Sequence, residues 1–197
     1  LTASASAGPA FEGGGITCGM HAGAGAIERF AVDPKTYEVR YDTIRHQPAR
    51  GVCGSGIMNA VASLMLAGLI EPNGKIDLSA DTPLTREGVN GPEIVLARAE
   101  NTDLGADLVL TEGDLDNLLR AKAAMYAGYI TLLEHVGMDF DAIEDVFIAG
   151  NFGKLTVSSR GMVVLYAAHH EMHVPLHDTL TVVGPEGEVL GRFDRLR

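Results

Sequence analysis

Three glycine-rich turns constrain what this chain can fold into more than any other feature of its sequence. Glycine accounts for 24 of 197 residues, above the usual ~7%, and it is concentrated at residues 8–15, 51–56 and 150–153. Each turn adjoins a predicted strand or precedes a predicted helix. Glycine lets a backbone approach a ligand closely and adopt positive φ, so its N–H groups can surround an anion. A single turn of this kind is commonly only a tight connection, but three in one domain favour a nucleotide site.

The charge balance argues against nucleic acid as a partner. Acidic residues outnumber Lys and Arg by 26 to 15, giving a formal charge of −11 with His neutral, whereas phosphate backbones are held chiefly by Lys and Arg. The two cysteines cannot build a disulfide framework, so a reducing cytoplasm is the expected compartment. Residues 51–70 carry no charge, but the helix predicted within them is too short to span a membrane. We therefore expect neither a nucleic acid nor a membrane partner.

Hydrophobic periodicity and turn residues predict alternating strands and helices. Strands at residues 25–32 and 37–44 flank the turn Asp33-Pro34 and predict a hairpin. Thr111 with Asp114 three residues later resembles a capping box that opens a long helix. The further predicted elements are a helix from about 56 to 69, a polar connection over 71–92, strands at 93–99 and 106–110, the long helix over 112–136, a buried strand at 145–149, and a terminal hairpin of 179–183 with 189–193.

Lys122 is an unusual residue on the apolar stripe of the long predicted helix. It lies four residues after Leu118 and four before Tyr126, so the three side chains share one face. A lysine on the core side needs either an anionic partner or a route for its ammonium to reach water. The sequence leaves both interpretations open, a ligand contact and a lysine that extends from the helix edge. Arg120 points elsewhere and is expected to be solvated.

Three other patterns do not support a site. Residues 150–156 contain Gly-Lys-Leu-Thr but lack the spacing of a phosphate-binding loop. Histidines spaced four apart within residues 169–177 could ligate a metal, but Pro175 interrupts any helix there, so surface histidines are favoured and no metal site is predicted. Two cysteines, Cys18 and Cys53, cannot ligate a four-cysteine cluster within one chain. A cluster bridging two subunits stays open as an alternative.

Four segments together resemble the reductive activators of corrinoid proteins. The matching segments are residues 5–16, 51–57, 120–124 and 148–153, in the right order over about residues 1–155. These activators are members of the superfamily of acetate kinase, sugar kinases, heat-shock chaperones and actin. The resemblance implies an α/β fold of the ribonuclease-H-like, actin-like ATPase type, a mixed sheet with flanking helices present as a partial domain. It also implies that ATP and Mg²⁺ bind in a cleft between two lobes.

The resemblance assigns roles to particular residues. Gly150, Asn151, Phe152 and Gly153 match the adenosine-binding turn of the superfamily. Gly54, Ser55 and Gly56 match a turn that faces the nucleotide. Arg120-Ala121-Lys122 resembles a chaperone helix whose lysine reaches the ribose, which explains a lysine on the apolar stripe. Glu12 lies in a family motif without an assigned role, and no catalytic residue is assigned.

The resemblance also predicts how the chain is divided. Residues 1–155 are expected to be the C-terminal part of an actin-like ATPase domain, and residues 156–197 a divergent segment packed on the same domain. Family members carry a ferredoxin-like iron–sulfur domain and an early Asp-x-Gly phosphate-binding strand, which do not occur in these 197 residues. The chain alone is therefore expected to show weak or no ATPase activity.

The leading hypothesis from the sequence is that this is the C-terminal portion of an ATP-dependent reductive activator. Such a protein returns cobalt(II) corrinoid protein to cobalt(I) with electrons from an iron–sulfur centre, and this part would supply the adenosine side of the nucleotide cleft. One alternative is a non-catalytic module that docks to a corrinoid protein or forms a homodimer. Another is an activator that holds an iron–sulfur cluster between two subunits through Cys53, because Gly-Val-Cys-Gly-Ser-Gly is loosely similar to the cluster turn of dehydratase activators.

Overall fold

The computed structural model describes residues 8–140 and the backbone of six later strands within residues 145–194. The chain divides into two units, residues 4–127 and residues 1–3 with 128–197. The first unit contains two three-stranded sheets and the apolar core between residues 10 and 118.

The hairpin predicted around Asp33-Pro34 is confirmed and forms most of the first sheet. Strand β1 (Ala26–Val32) pairs antiparallel with β2 (Val39–Thr43). Asp33 closes the turn because its carboxylate accepts hydrogen bonds from the backbone N–H groups of Lys35 and Thr36, at 2.8 and 2.9 Å. Strand β3 (Gly51–Val52) runs parallel to β1, giving the order β2-β1-β3.

The first predicted helix is α1 (Gly54–Leu66), which packs on β1. Ile57, Ala60 and Leu64 are buried on one face at the three- and four-residue spacing expected of an amphipathic helix. Gly68, two residues after the end of α1, has a φ of +76° that suits glycine and turns the chain away from the helix. The N–H of Leu69 donates back to the carbonyl oxygen of Leu64 at 2.9 Å. The sequence placed this helix about two residues too late, but its existence and its end are confirmed.

A second sheet occupies the region after α1. It is antiparallel in the order β4-β5-β6, with β4 (Thr85–Gly88), β5 (Gly91–Ala97) and β6 (Leu108–Thr111). The strands predicted at 93–99 and 106–110 are confirmed. The assignment of 71–92 as a polar connection was wrong in its last part, because β4 lies within it. No residue of β4 is buried, so the apolar alternation that identifies a strand is absent there.

The long helix α2 (Glu112–His135) begins at the predicted capping box and ends as predicted. Gly137 has a φ of +68°, and the N–H of Met138 donates to the carbonyl oxygen of Leu133 at 3.0 Å. The apolar stripe is buried near the start of the helix, at Leu115, Leu118 and Ala121. Neither α1 nor α2, the helices among the described residues, is long and apolar enough to cross a membrane.

The later strands form three antiparallel pairs. They are β7 (Asp145–Ile148), β8 (Thr156–Ser158), β9 (Met162–Val164), β10 (Met172–Pro175), β11 (Thr179–Val183) and β12 (Val189–Asp194). β7 pairs with β10, β8 with β9, and β11 with β12. The predicted strand after α2 and the predicted terminal hairpin are both confirmed. Strands β8, β9 and β10 were not anticipated.

Candidate functional site

The chain that continues from the first glycine-rich turn, residues 8–15, lies beside the second, residues 51–56. We call residues 13–19 the glycine loop and residues 53–56 the α1 turn. The N–H of Val52 donates to the carbonyl oxygen of Cys18 at 2.8 Å, and the N–H of Met20 donates to the carbonyl oxygen of Val52 at 2.9 Å. These bonds join the end of the glycine loop to the strand that leads directly into the α1 turn. The third turn, Gly150-Asn151-Phe152-Gly153, lies outside the described residues.

The α1 turn presents the start of a helix that has no side-chain cap. Cys53 is the N-cap residue, and its side chain makes no capping hydrogen bond. Its N–H and its Sγ instead both donate to the carbonyl oxygen of Ile27, at 3.2 and 3.3 Å. The Ser55 hydroxyl lies 3.3 Å from the Cys53 sulfur. The first N–H groups of α1 therefore have no side-chain acceptor within residues 8–140, and the helix dipole makes this position favourable for an anion.

Gly56 has a packing role in the α1 turn. A Cβ at this position would collide with the carbonyl oxygen of Ile27 on β1 and lie 2.9 Å from a methyl carbon of Val52. The close approach of α1 to β1 therefore requires glycine here. Gly54 is buried and Ser55 is half-buried beside it.

Cys53 does not present its thiol for cluster binding. The residue is 2% exposed, and its sulfur donates to a backbone carbonyl group of the interior. The alternative in which Cys53 holds a cluster between two subunits gains no support from this geometry.

The glycine loop folds back tightly on itself. Gly13 and Gly15 have φ values of +85° and +73°, which glycine adopts without strain. A Cβ on Gly19 would collide with the carbonyl oxygen of Gly13. Glycine at these positions is thus required by the path of the loop itself.

The first turn of α2 anchors this loop through Asp114. One carboxylate oxygen accepts hydrogen bonds from the N–H and the hydroxyl of Thr17, at 2.7 and 3.1 Å. The other accepts from the N–H of Thr111 at 2.9 Å, and the Thr111 hydroxyl accepts from the N–H of Asp114 at 3.1 Å. This is a capping box with Asp in place of Glu. Asn117, three residues after Asp114 on α2, donates from its side-chain nitrogen to the carbonyl oxygen of Gly15 at 2.8 Å.

Cys18, next to Thr17, is a buried and inert thiol. Burial first, and the nearby Asp114 carboxylate second, raise the pKa of Cys18 from 9.0 to about 12. The thiol is therefore protonated at neutral pH and is a poor nucleophile or metal ligand.

The first turn of α2 also holds the loop that follows α1. The Glu112 carboxylate accepts a hydrogen bond from the Lys75 ammonium at 2.7 Å and one from the N–H of Ile76 at 3.0 Å. These two bonds, the Lys75 one first, hold the pKa of Glu112 below its usual value. The start of α2 is thus a point at which two separate loops are fixed.

Lys122 lies eight residues after Asp114 on α2, about 12 Å along the helix axis. It is half-buried, and within residues 8–140 its ammonium makes no hydrogen bond or ion pair. Arg120, by contrast, is exposed, as the sequence predicted, and it pairs with Asp116 at 2.7 Å. No hydrogen bond or ion pair of the described residues joins Lys122 to the glycine loop or the α1 turn. Glu12 is exposed at the end of a short 3₁₀ helix, Ala10–Glu12.

The sequence interpretation missed the residues that hold the candidate site together. Asp114 was read only as a helix cap, and neither Thr17 nor Asn117 was singled out. Thr17 and Asp114 are 97 positions apart, and a single sequence contains no information about such a pairing. Within the described part of the chain, no group of three or more His, Cys, Asp or Glu residues could hold a metal ion.

Comparison with known proteins places this geometry in a family. A family model described as the C-terminal domain of RACo, the ASKHA domain, matches residues 1–167. The chain is 36% identical over 158 residues to a corrinoid activation enzyme, RamQ, of Eubacterium limosum, covering 77% of this chain and 26% of that protein. It is 28% identical over 180 residues to a Co(II) methylated amine-specific corrinoid protein reductase of Methanosarcina barkeri, covering 78% of this chain and 28% of that protein.

A solved structure shows the same fold. It is a reductive activator for corrinoid, iron-sulfur protein, with a TM-score of 0.69 and 47% sequence identity, covering 76% of this chain and 24% of that one. The present chain thus spans about a quarter of the length of the proteins it matches.

Proposed function

Because this chain belongs to the family of the C-terminal ASKHA domain of RACo, we propose that it is part of an ATP-dependent reductive activator of a corrinoid protein. The α/β fold class and the resemblance drawn from the sequence are confirmed by that family match and by the related structure. Membership of an ASKHA family indicates nucleotide binding. The identity of the nucleotide as ATP, with Mg²⁺, is part of the proposal.

The observation that carries the proposal is the uncapped start of α1 beside the glycine loop. In the part of the chain that the structure describes, no side chain accepts from the N–H groups of Gly54, Ser55 and Gly56. The phosphate groups of a nucleotide are acceptors well suited to such a place. The residues present therefore fit an anionic ligand. No ligand for Mg²⁺ is assigned in this chain.

The family resemblance adds Lys122 and the third glycine turn to the residues proposed to bind the nucleotide. The half-buried ammonium of Lys122 has no hydrogen-bond or ion-pair partner within residues 8–140 and is available to a hydroxyl or phosphate oxygen of the ligand. By resemblance, Lys122 reaches the ribose, and Gly150, Asn151, Phe152 and Gly153 bind the adenosine. The chain in this way supplies one wall of the nucleotide cleft.

The proposed reaction moves one electron from a reduced iron–sulfur centre to cobalt(II), so that the centre is oxidised and cobalt(I) forms. With two cysteines in all, this chain cannot ligate a four-cysteine cluster, so the centre is assigned to another part of the activator. The transfer is uphill at cellular potentials. Nucleotide binding is coupled to this electron transfer if the two lobes have conformations with different affinities for ATP and for the corrinoid protein. The chain's own contribution is to bind and orient the nucleotide.

The partner is proposed to be a corrinoid protein. The names of the three similar proteins each refer to a corrinoid or to a corrinoid protein. The rival possibility, a docking or dimerisation module in which the glycines only shape turns, predicts no nucleotide binding by this chain.

Calorimetric titration of the chain with ATP and Mg²⁺ tests the proposal. We expect binding by the wild-type chain and about tenfold or greater weakening in Lys122→Ala, because a charge-assisted hydrogen bond is lost. Lys35→Ala is the matched control, since Lys35 is exposed in the β1–β2 turn and its ammonium has no partner among the described residues. No binding heat in the wild-type chain would favour the docking module, and equal binding heats for wild type and Lys122→Ala would remove Lys122 from the proposed site.

A further inference from the structure

We infer that Asp114 and Asn117 are positioning residues of the nucleotide site, and that they act by fixing the glycine loop against the α1 turn. The inference rests on the proposed nucleotide site and adds to it the residues that set its geometry. Among the described residues, neither side chain hydrogen-bonds to the α1 turn, so we assign their effect to the backbone of the loop.

The glycine loop needs an external anchor. Four of its seven residues are glycines, at positions 13, 14, 15 and 19. Glycine has the largest backbone freedom to lose on folding. Ile16 and Cys18 are buried in the apolar core, whereas Gly15 and Thr17 are exposed to solvent, so Gly15 and Thr17 depend on hydrogen bonds rather than on their own burial.

Contacts on two sides restrain the loop. On one side, the carbonyl oxygen of Cys18 accepts from the N–H of Val52 at 2.8 Å, immediately before the α1 turn. On the other side, Asp114 accepts from Thr17, and Asn117 donates to the carbonyl oxygen of Gly15 at 2.8 Å. The loop is therefore a bridge between the start of α2 and the start of α1.

The α2 end of this bridge is rigid. Asp114 is 3% exposed, and its two carboxylate oxygens accept three hydrogen bonds. Leu115 and Leu118, next to it on α2, are in the apolar core. A flexible loop bonded to a rigid helix is preorganised, so a ligand that contacts the loop does not have to order it.

The two anchors differ in how they can be tested. Removing Asp114 also uncaps α2 and leaves buried donors without partners, so stability and binding would change together. Asn117 is exposed on the helix, and alanine is a better helix former than asparagine. Asn117→Ala therefore removes the bond to Gly15 while leaving the helix intact.

The experiment compares the full wild-type chain with Asn117→Ala and with Asn90→Ala. Asn90 is exposed between β4 and β5, and no contact of the described residues joins it to the glycine loop. Hydrogen exchange measures the opening of residues 13–19, calorimetry measures the affinity for ATP with Mg²⁺, and thermal denaturation measures stability. We expect faster exchange in Asn117→Ala, about fivefold weaker ATP binding and an unchanged thermal midpoint, with Asn90→Ala like wild type in all three.

The possible outcomes separate this inference from the proposed function. Faster exchange with unchanged ATP affinity would overturn the positioning role and leave the nucleotide site standing. Unchanged exchange would overturn the anchor itself. Failure of the wild-type chain to bind ATP would overturn the proposed function, and the positioning role with it.

Discussion

Replacing Asp114 by asparagine tests the contact between α2 and the glycine loop most severely. Asp114 is 3% exposed. Its Oδ1 accepts from the N–H and hydroxyl of Thr17, and its Oδ2 accepts from the N–H of Thr111. Asparagine has the same shape but only one acceptor oxygen in its side chain. In either orientation its NH₂ group faces a donor, so either the part-buried N–H of Thr17 or the buried N–H of Thr111 loses its partner.

The expected magnitude follows from these contacts. An unsatisfied buried donor costs about 1–3 kcal/mol, and the loss of charge-assisted bonding at the remaining oxygen adds about 1 kcal/mol. Asp114→Asn should therefore lower the free energy of unfolding by about 2–4 kcal/mol. Urea denaturation followed by far-ultraviolet circular dichroism measures it, because the chain has no Trp for fluorescence.

Asp116→Asn is the matched control. It makes the same chemical change two residues later on α2, where the carboxylate is exposed and pairs with Arg120 at 2.7 Å. An exposed pair of this kind contributes less than about 1 kcal/mol, so this variant should stay close to wild type. Equal losses in the two variants would refute the reasoning, since they would show that the buried contacts of Asp114 contribute nothing beyond a surface charge.

Two further predictions concern packing and pH. Gly56→Ala should lower the free energy of unfolding by about 3 kcal/mol, because its Cβ would collide with the carbonyl oxygen of Ile27 on β1. Gly113→Ala, whose Cβ would lie 3.6 Å from the Thr111 hydroxyl oxygen, should change it by less than about 1 kcal/mol. Similar urea midpoints for the two variants would contradict the close approach of α1 to β1. The raised pKa of Cys18, about 12 against 9.0, means that the unfolded chain loses this proton first as pH rises, so stability should fall above pH 9 by up to about 1.4 kcal/mol per pH unit from this thiol. Cys18→Ala should flatten that decline relative to wild type, and parallel pH profiles would contradict the assignment.

Local chemistry explains which elements could be predicted from the sequence. The β1–β2 hairpin follows from Asp33, whose side chain bonds its own turn, and the start of α2 follows from Thr111 and Asp114, three residues apart. Each signal is contained within a few residues of chain. The ends of both helices are likewise marked by glycines at positive φ.

Strand β4 shows why other elements escaped prediction. Its Arg86 pairs with Glu93 on β5 and with Asp107 before β6, both at 2.7 Å. These partners lie 7 and 21 positions away, so the strand is stabilised by pairing and charge rather than by an apolar face of its own. No period-2 pattern is present to be read.

The candidate site likewise contains some residues that local sequence indicates and others that only the folded structure reveals. Glycine at 54 and 56 drew attention because of its local context, yet Gly56 is required by packing against Ile27. The contact between Thr17 and Asp114 joins residues from opposite ends of the unit and depends on the fold as a whole. Sequence reasoning located the turns, whereas the side chains that fix one of them could be found only from the structure.

The central claim is that the glycine loop and the α1 turn together contact a nucleotide. The most direct measurement is an NMR titration of the isotope-labelled chain with ATP and Mg²⁺, followed at the backbone amide groups. The account predicts that Gly54, Ser55 and Gly56 shift together with amides of residues 13–19, at one common affinity. Shifts confined to other parts of the chain, or none at saturating ATP, would contradict it.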